Sequence, residues 1–563
     1  MFAALLVGLT MLAGIFWMFQ HPLAIHSDEA WYVNEAQIDL HAFHAGGPVL
    51  LARWMVHGDP SRPPAYRLSI LPFTVLFGYH IVMLRIVTLA MFVLSAWFTY
   101  WVTRRLASPA AGAIAVLVFC LSPEILQGSV FFSTEGPLYL AVAGMFYFLS
   151  VYWDKGSEPF GNWFGLGVSI GLGALSKTTF ESIALPVILF TIFTAWRKRG
   201  GISGLIPLVK AGVIAFLVAA PWWLKNLRPA LDYAIYSNKN WIRHSLGAPS
   251  FMTSVRWLGT VFLSLFGPCV TIFIGLVVIA LFQRAIVGRE RVLRPAQWTA
   301  LYACAFASIP LIFVQLTGTN YNLRLISSVM IPVAISVGVL SEAAGFLRSK
   351  IPIAATGLLF VVQFLMLVFP VFFPNKHPLD PGSFNGYPWR IMIRFEQWDW
   401  TPLQNITNSC GIAPQKISFV DRGRALQGGI QYGWDNPNDV PKISYMGNGR
   451  AFNGSQIQYP WLEQGLDFPE VKWLWRYEDG PIDWQKVMNM ADQSDFVITA
   501  PHYVGQITDL QDVDNQHNLE FASRIGQDPL FRAPIRLQMG QLDPVEVLVF
   551  SRKSLACHGA GTL

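Results

Sequence analysis

Residues 351–374 read IPIAATGLLFVVQFLMLVFPVFFP, a run of 24 residues without a charged side chain. A helix that crosses a bilayer needs about 20 apolar residues, so this run predicts a spanning helix. The Pro-rich stretch FPNKHPLDPG at 373–382 interrupts the apolar sequence, and more polar sequence follows. We therefore expect a membrane domain at residues 1–374 and a separate globular domain at residues 375–563.

Similar apolar runs recur upstream of this one. The whole chain is 53% hydrophobic and only 13% charged, whereas soluble domains carry about 25% charged residues. The first run has neither a basic region before it nor a small-residue cleavage site after it, so we expect it to be a retained helix. The predicted fold is a polytopic α-helical membrane protein with about eleven spans, at 2–20, 81–103, 109–123, 134–153, 161–177, 179–196, 203–224, 256–283, 297–315, 323–341 and 351–374.

Basic residues distinguish the two sets of alternate loops, and loops rich in Lys and Arg usually stay in the cytoplasm. An odd number of spans then predicts an inner-membrane protein with a cytoplasmic N-terminus and an extracytoplasmic C-terminal domain. The long loops 21–67 and 225–254 fall on the outer side. Because the basic residues form no single face or run, we expect no nucleic-acid partner. The cytoplasmic loops hold Arg104, Arg105, Lys155, Arg197, Lys198, Arg199, Arg284, Arg289, Arg291, Arg294, Arg348 and Lys350.

The C-terminal region has the pattern of a small α/β domain. Short apolar runs at 416–420, 495–499 and 544–550 predict strands, and the stretch 482–494 is amphipathic. Cys410 and Cys557 could pair outside the cytoplasm, although two cysteines that lie far apart are weak evidence of a disulfide. Tryptophans could form a carbohydrate-stacking surface, but such residues more often pack in a core. They are Trp398, Trp400, Trp434, Trp461, Trp473, Trp475 and Trp484.

Acidic residues stand at the outer ends of the predicted spans. Asp28 and Glu29 follow the first span, and Glu135 opens the fourth. Carboxylates at a membrane mouth are costly unless they are hydrated or used. Each also has a simpler explanation, since Asp28 and Glu29 can cap a helix and Glu135 can face a helix dipole.

Basic residues occupy the same outer ends. Arg62 lies in Arg62-Pro63-Pro64, Lys177 lies between two apolar runs, and Arg324 enters the tenth span. Arginine binds phosphate bidentately, but Arg62 and Arg324 could also snorkel to the interface, and Lys177 could simply pair with Glu181. Together these acids and cations predict a site at the outer rim, whereas a transporter places its ionisable groups near the midplane.

The order of these motifs resembles the GT-C superfamily of membrane glycosyltransferases. It is most similar to bacterial members of the protein O-mannosyltransferase-like group, which includes the transferases that attach aminoarabinose to lipid A. Three further elements carry the resemblance, namely Leu175-Ser-Lys177, Pro221-Trp222-Trp223-Leu-Lys225-Asn226, and the entry Tyr321-Asn-Leu-Arg324 before Pro332. It covers about residues 1–374.

The resemblance implies an inverting glycosyltransferase that takes sugar from a polyprenyl-phosphate donor. Its acceptor would be a hydroxyl of a lipid, glycan or protein outside the membrane. Asp28, Glu29 and Glu135 would be the catalytic acids, with Asp28 as the base. Arg62, Lys177 and Arg324 would bind the donor phosphate. Alternative functions are a transporter or flippase of a lipid-linked saccharide, a glycan-binding scaffold, and a GT-C ligase that uses a diphosphate-linked donor.

The resemblance implies no cofactor firmly. Some relatives bind a divalent metal through a Glu immediately before the basic-Pro-Pro element, but here Ser61 occupies that position. His57, Asp59 and His244 are conceivable substitutes, so a divalent metal stays possible at this stage.

Overall fold

The computed structural model of this chain describes most of its residues. The described residues are 1–23, 27–155, 160–198, 201–239, 263, 265–287, 293–317, 323–347, 350–372, 397–412, 418–421, 430–433, 441–447, 452–464, 466, 469–475, 481–502, 511–540 and 544–557.

Helices make up the N-terminal part. In chain order they are α1 (Phe2–Gln20), α2 (Ser27–His57), α3 (Ala65–Phe77), α4 (Ile81–Leu106), α5 (Pro109–Cys120), α6 (Pro123–Val130), α7 (Glu135–Lys155), α8 (Phe160–Ala174), α9 (Thr179–Lys198), α10 (Ile206–Lys239), α11 (Pro268–Val287), α12 (Pro295–Thr317), α13 (Met330–Ala343) and α14 (Lys350–Phe372). Short 3₁₀ turns at Gly201–Leu205, Leu323–Leu325 and Ser327–Val329 connect some of them.

Each predicted span contains a helix, but the predicted number of eleven spans is not established. Seven described helices are long and apolar enough to cross a bilayer, or eight if α5 and α6 form one span bent by 69°. Shorter apolar helical stretches of 10–17 residues lie at 65–77, at 268–284 within α11, and at 327–343. The polytopic helical fold class is confirmed, and the chain is a multi-pass membrane protein.

The predicted outer loop 21–67 is mainly helical. Helix α2 occupies 31 of its residues and is kinked where Gly46 and Gly47 leave helical geometry, with φ of 65° at Gly47. Glycine tolerates this positive φ because it has no Cβ. Charged and polar residues are spaced through α2, so its sequence lacks the long apolar run that predicts a spanning helix.

Close packing of α8 on α10 helps to place the residues after α8. A Cβ on Gly167 would lie 2.6 Å from the carbonyl oxygen of Ala211, and one on Gly171 would lie 2.6 Å from the Val218 Cβ. Small residues four apart let two helix backbones approach in this way. The indole of Trp223 then donates to the Ala174 carbonyl at 2.9 Å, at the end of α8 that leads to Lys177.

Four described arginines, which we call the basic belt, lie together at one end of the helices. Arg104 and Arg105 end α4, Arg284 donates to the Ala343 carbonyl at the end of α13, and Arg294 donates to the Leu106 carbonyl. By contrast, Glu135 is the first residue of α7. The candidate site residues therefore lie at the opposite end of the bundle from this basic belt.

The C-terminal part forms a small α/β unit with its own core, as predicted. Its helices are α15 (Thr401–Ser409), α16 (Gly454–Glu463), α17 (Trp484–Ala491) and α18 (Gln511–Gln527). Its strands are β1 (Ser418–Asp421), β2 (Ile430–Gly433), β3 (Lys442–Met446), β4 (Glu470–Trp473), β5 (Phe496–Thr499), β6 (Ile535–Met539) and β7 (Val545–Ser551). The five-stranded sheet has the order β4-β3-β5-β7-β6, in which β3 is parallel to β4 and β5, and β7 is antiparallel to β5 and β6. Strands β1 and β2 form a separate antiparallel pair.

Three of the described tryptophans do not contribute to a carbohydrate-stacking surface. Trp398, Trp400 and Trp461 are at most 3% exposed and pack in the core of the C-terminal unit. The rings of Trp398 and Trp400 lie next to that of Phe452, at 5.8 and 5.6 Å between ring centroids. Burial of these large rings stabilises the unit instead. Trp434 lies outside the described residues.

Cys410 and Cys557 form a disulfide that joins the end of α15 to the segment after β7. It closes a loop of 147 residues. We expect the Cys410→Ala/Cys557→Ala variant to lose about 2–5 kcal/mol of unfolding free energy in the C-terminal unit. Denaturant titration that follows the tryptophan fluorescence of this unit would measure the loss. Thiol labelling of the unfolded, unreduced protein tests the bond itself, because two reactive thiols at these positions would contradict it.

Candidate active site at the end of the helices opposite the basic belt

Four side chains from distant parts of the sequence form one chain of ion pairs. The Arg324 Nη1 lies 2.8 Å from the Asp28 Oδ2. The same guanidinium binds Glu135 through two nitrogens, at 3.0 Å from Nη2 to Oε2 and 3.3 Å from Nε to Oε1. The Lys177 Nζ lies 2.7 Å from the Glu135 Oε1. We call Asp28, Glu135, Lys177 and Arg324 the ion-pair cluster.

Exposure increases across the ion-pair cluster in a regular order. The Glu135 side chain is 0% exposed, those of Lys177 and Arg324 are 18% and 20% exposed, and that of Asp28 is 41% exposed. Glu135 therefore forms the buried floor that holds two cations side by side. Asp28 has the carboxylate that a soluble or lipid-borne molecule can reach. Glu135 is engaged by both cations, so its geometry suits a positioning role rather than proton transfer.

Arg62 reaches the same region from the loop between α2 and α3. Its guanidinium lies over the rings of Trp31 and Tyr233, at 5.0 and 5.3 Å from their centroids. Its Nη2 also donates to the Tyr233 hydroxyl at 3.3 Å. Aromatic faces hold a guanidinium by cation–π attraction without consuming all of its N–H groups. Arg62 is thus oriented while it keeps donors for an anion.

Tyr32 lies within electrostatic range of both Arg62 and the ion-pair cluster. Burial raises the pKa of Tyr32, Asp28 raises it further, and Arg62 and Arg324 both oppose the rise. The Tyr32 phenol is therefore close enough to Asp28, Arg62 and Arg324 to interact with their charges. Tyr32 lies one helical turn after Asp28, and this i,i+4 spacing is the only sequence signal that could have singled it out.

The loop that holds Arg62 is closed by Asp59. One carboxylate oxygen of Asp59 accepts hydrogen bonds from the Ser61 amide at 3.0 Å, the Ser61 hydroxyl at 2.6 Å and the Arg62 amide at 3.2 Å. Pro63 and Pro64 then restrict the backbone that follows. Asp59 is thus a loop-capping residue, which argues against its use as a metal ligand.

The described part of the chain does not contain a set of side chains suited to bind the divalent metal that the sequence left possible. Within those residues, no group of three or more His, Cys, Asp or Glu side chains could hold an ion. His244 lies outside the described residues. We therefore derive no chemical step from a metal.

Glu29 is separated from its neighbour Asp28, contrary to the expectation that both join the site. Its carboxylate is fully buried and binds Arg85 at 2.8 Å (Nε to Oε1) and 2.7 Å (Nη2 to Oε2). Its Oε1 also accepts the Phe132 amide at 3.0 Å. Successive residues of a helix point about 100° apart, so one acid faces the bundle and the other faces the ion-pair cluster. The geometry suits a structural role for Glu29.

Two further charged residues near the site were not singled out from the sequence. Glu124 of α6 is buried within electrostatic range of Arg324, Glu135 and Lys177. Arg67 of α3 is fully buried, binds Asp39 of α2 through two nitrogens, and lies 3.4 Å from the Glu35 carboxylate. This second buried pair fastens α2 to α3.

Sequence comparisons match the chain to membrane glycosyltransferases over part of its length. The family model described as "Dolichyl-phosphate-mannose-protein mannosyltransferase" matches residues 61–224. An undecaprenyl phosphate-α-4-amino-4-deoxy-L-arabinose arabinosyl transferase of Pseudomonas fluorescens is 27% identical over 157 residues, which are 26% of this chain and 26% of the relative. The corresponding transferase of Edwardsiella ictaluri is 29% identical over 157 residues, which are 27% of each chain. The matched part is thus about a quarter of the length of these relatives.

Structural comparison extends over almost the whole chain. ArnT from Cupriavidus metallidurans in the apo state is 13% identical to this chain. The structural alignment covers 97% of each chain and has a TM-score of 0.53. The oligosaccharyltransferase AglB from Archaeoglobus fulgidus is 12% identical, covers 95% of this chain and 73% of AglB, and has a TM-score of 0.54.

The chain has a GT-C fold. The resemblance predicted from the order of its motifs is therefore confirmed, and so is the fold class. The family match at 61–224 includes Arg62, Glu135 and Lys177, whereas Asp28 and Arg324 lie outside it. Tertiary structure alone joins those two residues to the others.

Proposed function

We propose that the protein is an inverting glycosyltransferase that moves a sugar from a polyprenyl-phosphate donor to an acceptor hydroxyl. The observation that carries this proposal is the ion-pair cluster, in which two cations and a partly exposed carboxylate meet at one end of the helices. The names of the relatives support the donor class. One related structure, ArnT from Cupriavidus metallidurans, is described as bound to undecaprenyl phosphate, with a TM-score of 0.52 and 12% identity.

The cations suit a departing phosphate. A sugar on a phosphate already has a good leaving group, so the reaction needs charge stabilisation more than a general acid. Arg324 and Lys177 present positive charge beside Glu135, and Arg62 presents it beside Tyr233. Charge-assisted hydrogen bonds from such groups are the strongest that phosphate oxygens form in proteins.

Asp28 suits the acceptor hydroxyl. A general base must lie within hydrogen-bond reach of the proton that it removes, and the Asp28 side chain is the most exposed carboxylate of the ion-pair cluster. When the donor phosphate takes hydrogen bonds from Arg324, it competes with Asp28 for the same guanidinium. The displaced carboxylate then becomes a stronger base. One accessible carboxylate and no covalent intermediate correspond to a single displacement with inversion.

We place the site at the outer face of the inner membrane. Support comes from the described basic residues at the opposite end of the helices, because Lys and Arg accumulate on the cytoplasmic side. The disulfide of the C-terminal unit supports the same orientation, since disulfides persist in oxidising compartments. The N-terminus would then be cytoplasmic and the C-terminal unit extracytoplasmic.

A transfer assay with lipid-linked donors tests the proposal. The purified protein in lipid is given a panel of polyprenyl-phosphate sugars and candidate acceptor hydroxyls, and both the released carrier phosphate and the glycosylated acceptor are measured. Stoichiometric release and glycosylation are the expected result. Movement of intact donor across the bilayer without product would instead indicate a transporter or flippase, and activity only with diphosphate-linked donors would indicate a ligase.

Arg62→Ala is expected to weaken donor binding more than it slows the chemical step. A hydrogen bond to a charged group contributes about 1.5–3 kcal/mol, so the donor KM should rise roughly tenfold to a hundredfold. The phosphate is anionic in both the ground state and the transition state, so kcat should change only a few-fold. Arg228→Ala is the matched control, because the Arg228 side chain is 94% exposed. A lower kcat with an unchanged KM would contradict this role.

A further inference from the structure

The C-terminal unit covers the helix that carries the proposed base. Helix α16 lies along α2, and the Asn34 Nδ2 donates to the Ser455 carbonyl at 3.1 Å. Tyr459 of α16 is 5% exposed and packs in one apolar cluster with Ala30 and Val33 of α2. One helical turn later, Leu462 packs with Ile38, Ala42 and Trp54. The contacts therefore extend along α2 from Ala30 to Trp54, on both sides of its kink.

A second contact reaches the segment that leads into α2. Gln397, the first described residue of the C-terminal part, donates from Nε2 to the Leu23 carbonyl at 2.5 Å. The same carbonyl accepts a hydrogen bond from Arg85 at 3.0 Å. Arg85 in turn holds the carboxylate of Glu29, the residue after Asp28. A series of contacts thus links Gln397 to Asp28. It passes through the Leu23 carbonyl, the Arg85 guanidinium and the Glu29 carboxylate, and it ends at the peptide bond between residues 28 and 29.

The position of Asp28 needs such support. It lies in the first turn of α2, where backbone N–H groups lack partners within the helix. Its side chain pairs with Arg324, but a donor phosphate would compete for that guanidinium. Once the pair opens, the first turn of α2 has to hold the carboxylate in line with the acceptor. A displacement of 1 Å at a reacting group can cost about a hundredfold in rate.

We propose that the C-terminal unit is part of the active site as a positioning element, and that Gln397 and Asn34 anchor it to α2 and so hold Asp28 in place. The role of Asp28 as the base rests on the proposed function, whereas the anchoring itself does not. Neither Gln397 nor Asn34 contacts the ion-pair cluster in any described interaction, so both act through the backbone of α2.

The test compares two glutamines of the same unit. Gln397→Ala removes the hydrogen bond to Leu23, and Gln404→Ala removes a bond within the unit, because Gln404 pairs with Gln464 at 3.0–3.3 Å. Both side chains are buried, at 6% and 1% exposure. We expect Gln397→Ala to lower kcat about tenfold with the donor KM within twofold. Gln404→Ala should leave kcat and KM unchanged.

Hydrogen–deuterium exchange of the full-length protein in detergent gives a readout that does not depend on activity. Gln397→Ala should speed the exchange of amides in residues 23–33, and Gln404→Ala should not. Asn34→Ala removes the hydrogen bond from α2 to the Ser455 carbonyl. It should show the same fall in kcat. If Gln397→Ala does not fold, Asn34→Ala tests the proposal in its place.

Wild-type kcat and wild-type exchange in both anchor variants would overturn the proposal. An equal fall of kcat in Gln404→Ala would also overturn it, because the effect would then be a general loss of stability. If the wild-type protein transferred no sugar, the proposed function would fail, but exchange would still decide the anchoring. Faster exchange at 23–33 would support it, and unchanged exchange would reject it.

Discussion

Asp28→Asn is expected to lower kcat for sugar transfer by about 10²- to 10⁴-fold, the usual contribution of a positioned general base. Asparagine keeps the shape of the side chain and an oxygen that can accept the hydrogen bond from Arg324. It cannot take a proton from the acceptor hydroxyl. The variant should therefore insert and fold as the wild-type protein does and should still bind donor, so the loss should appear in kcat. Steady-state kinetics with a saturating donor measure it.

The matched control is Asp232→Asn. Asp232 is also an acid paired with an arginine, 3.9 Å from Arg228, but its side chain is 70% exposed on α10. Surface pairs of this kind contribute little to stability, so the control should transfer at the wild-type rate. Wild-type kcat in Asp28→Asn would remove Asp28 from the mechanism and leave the cations to be explained by donor binding alone.

Arg324→Gln is expected to have the other large effect, on both activity and stability. Loss of one group that stabilises developing charge typically costs about 10²- to 10³-fold in kcat. The substitution also leaves Glu135, which is fully buried, with Lys177 as its remaining cation in the ion-pair cluster. Removing one partner of a buried ion pair costs about 3–5 kcal/mol of stability, so the melting temperature should fall as well.

A double variant separates these two effects. In Arg324→Gln/Glu135→Gln the buried carboxylate that lost its guanidinium partner is replaced by a neutral amide. Much of the loss in melting temperature should therefore be reversed. Transfer should stay as low as in Arg324→Gln, because the phosphate still lacks its guanidinium. Recovery of transfer together with stability would mean that Arg324 serves only to balance Glu135.

The proposed mechanism predicts a low background reactivity from the arrangement of the ion-pair cluster. In the described structure Asp28 and Arg324 neutralise one another at 2.8 Å, which weakens the carboxylate as a base. The donor phosphate has the charge and shape to replace Asp28 on Arg324. In the proposed mechanism, donor binding and activation of the base are a single exchange of partners at one guanidinium, and we expect water to be a poor acceptor until that exchange occurs.

Much of this protein could be predicted from its sequence. The apolar runs placed a helix in every predicted span, and the strands at 418–421, 496–499 and 545–551 lie where short apolar runs predicted them. These features depend on the length and periodicity of neighbouring residues, which the sequence displays directly. The sequence also predicted that Asp28, Glu135, Lys177 and Arg324 lie at one end of the bundle, because each stands at the outer end of a predicted span.

Other features depend on contacts between residues that lie far apart in the chain. Only the tertiary structure decided that Asp28 turns to Arg324 while Glu29 turns to Arg85, and that Tyr32 and Glu124 adjoin the same site. It also decided that α16 covers α2. Hydrophobicity places a side chain at a depth in the membrane, but the choice of partner at that depth depends on how the helices pack, and no local pattern encodes it.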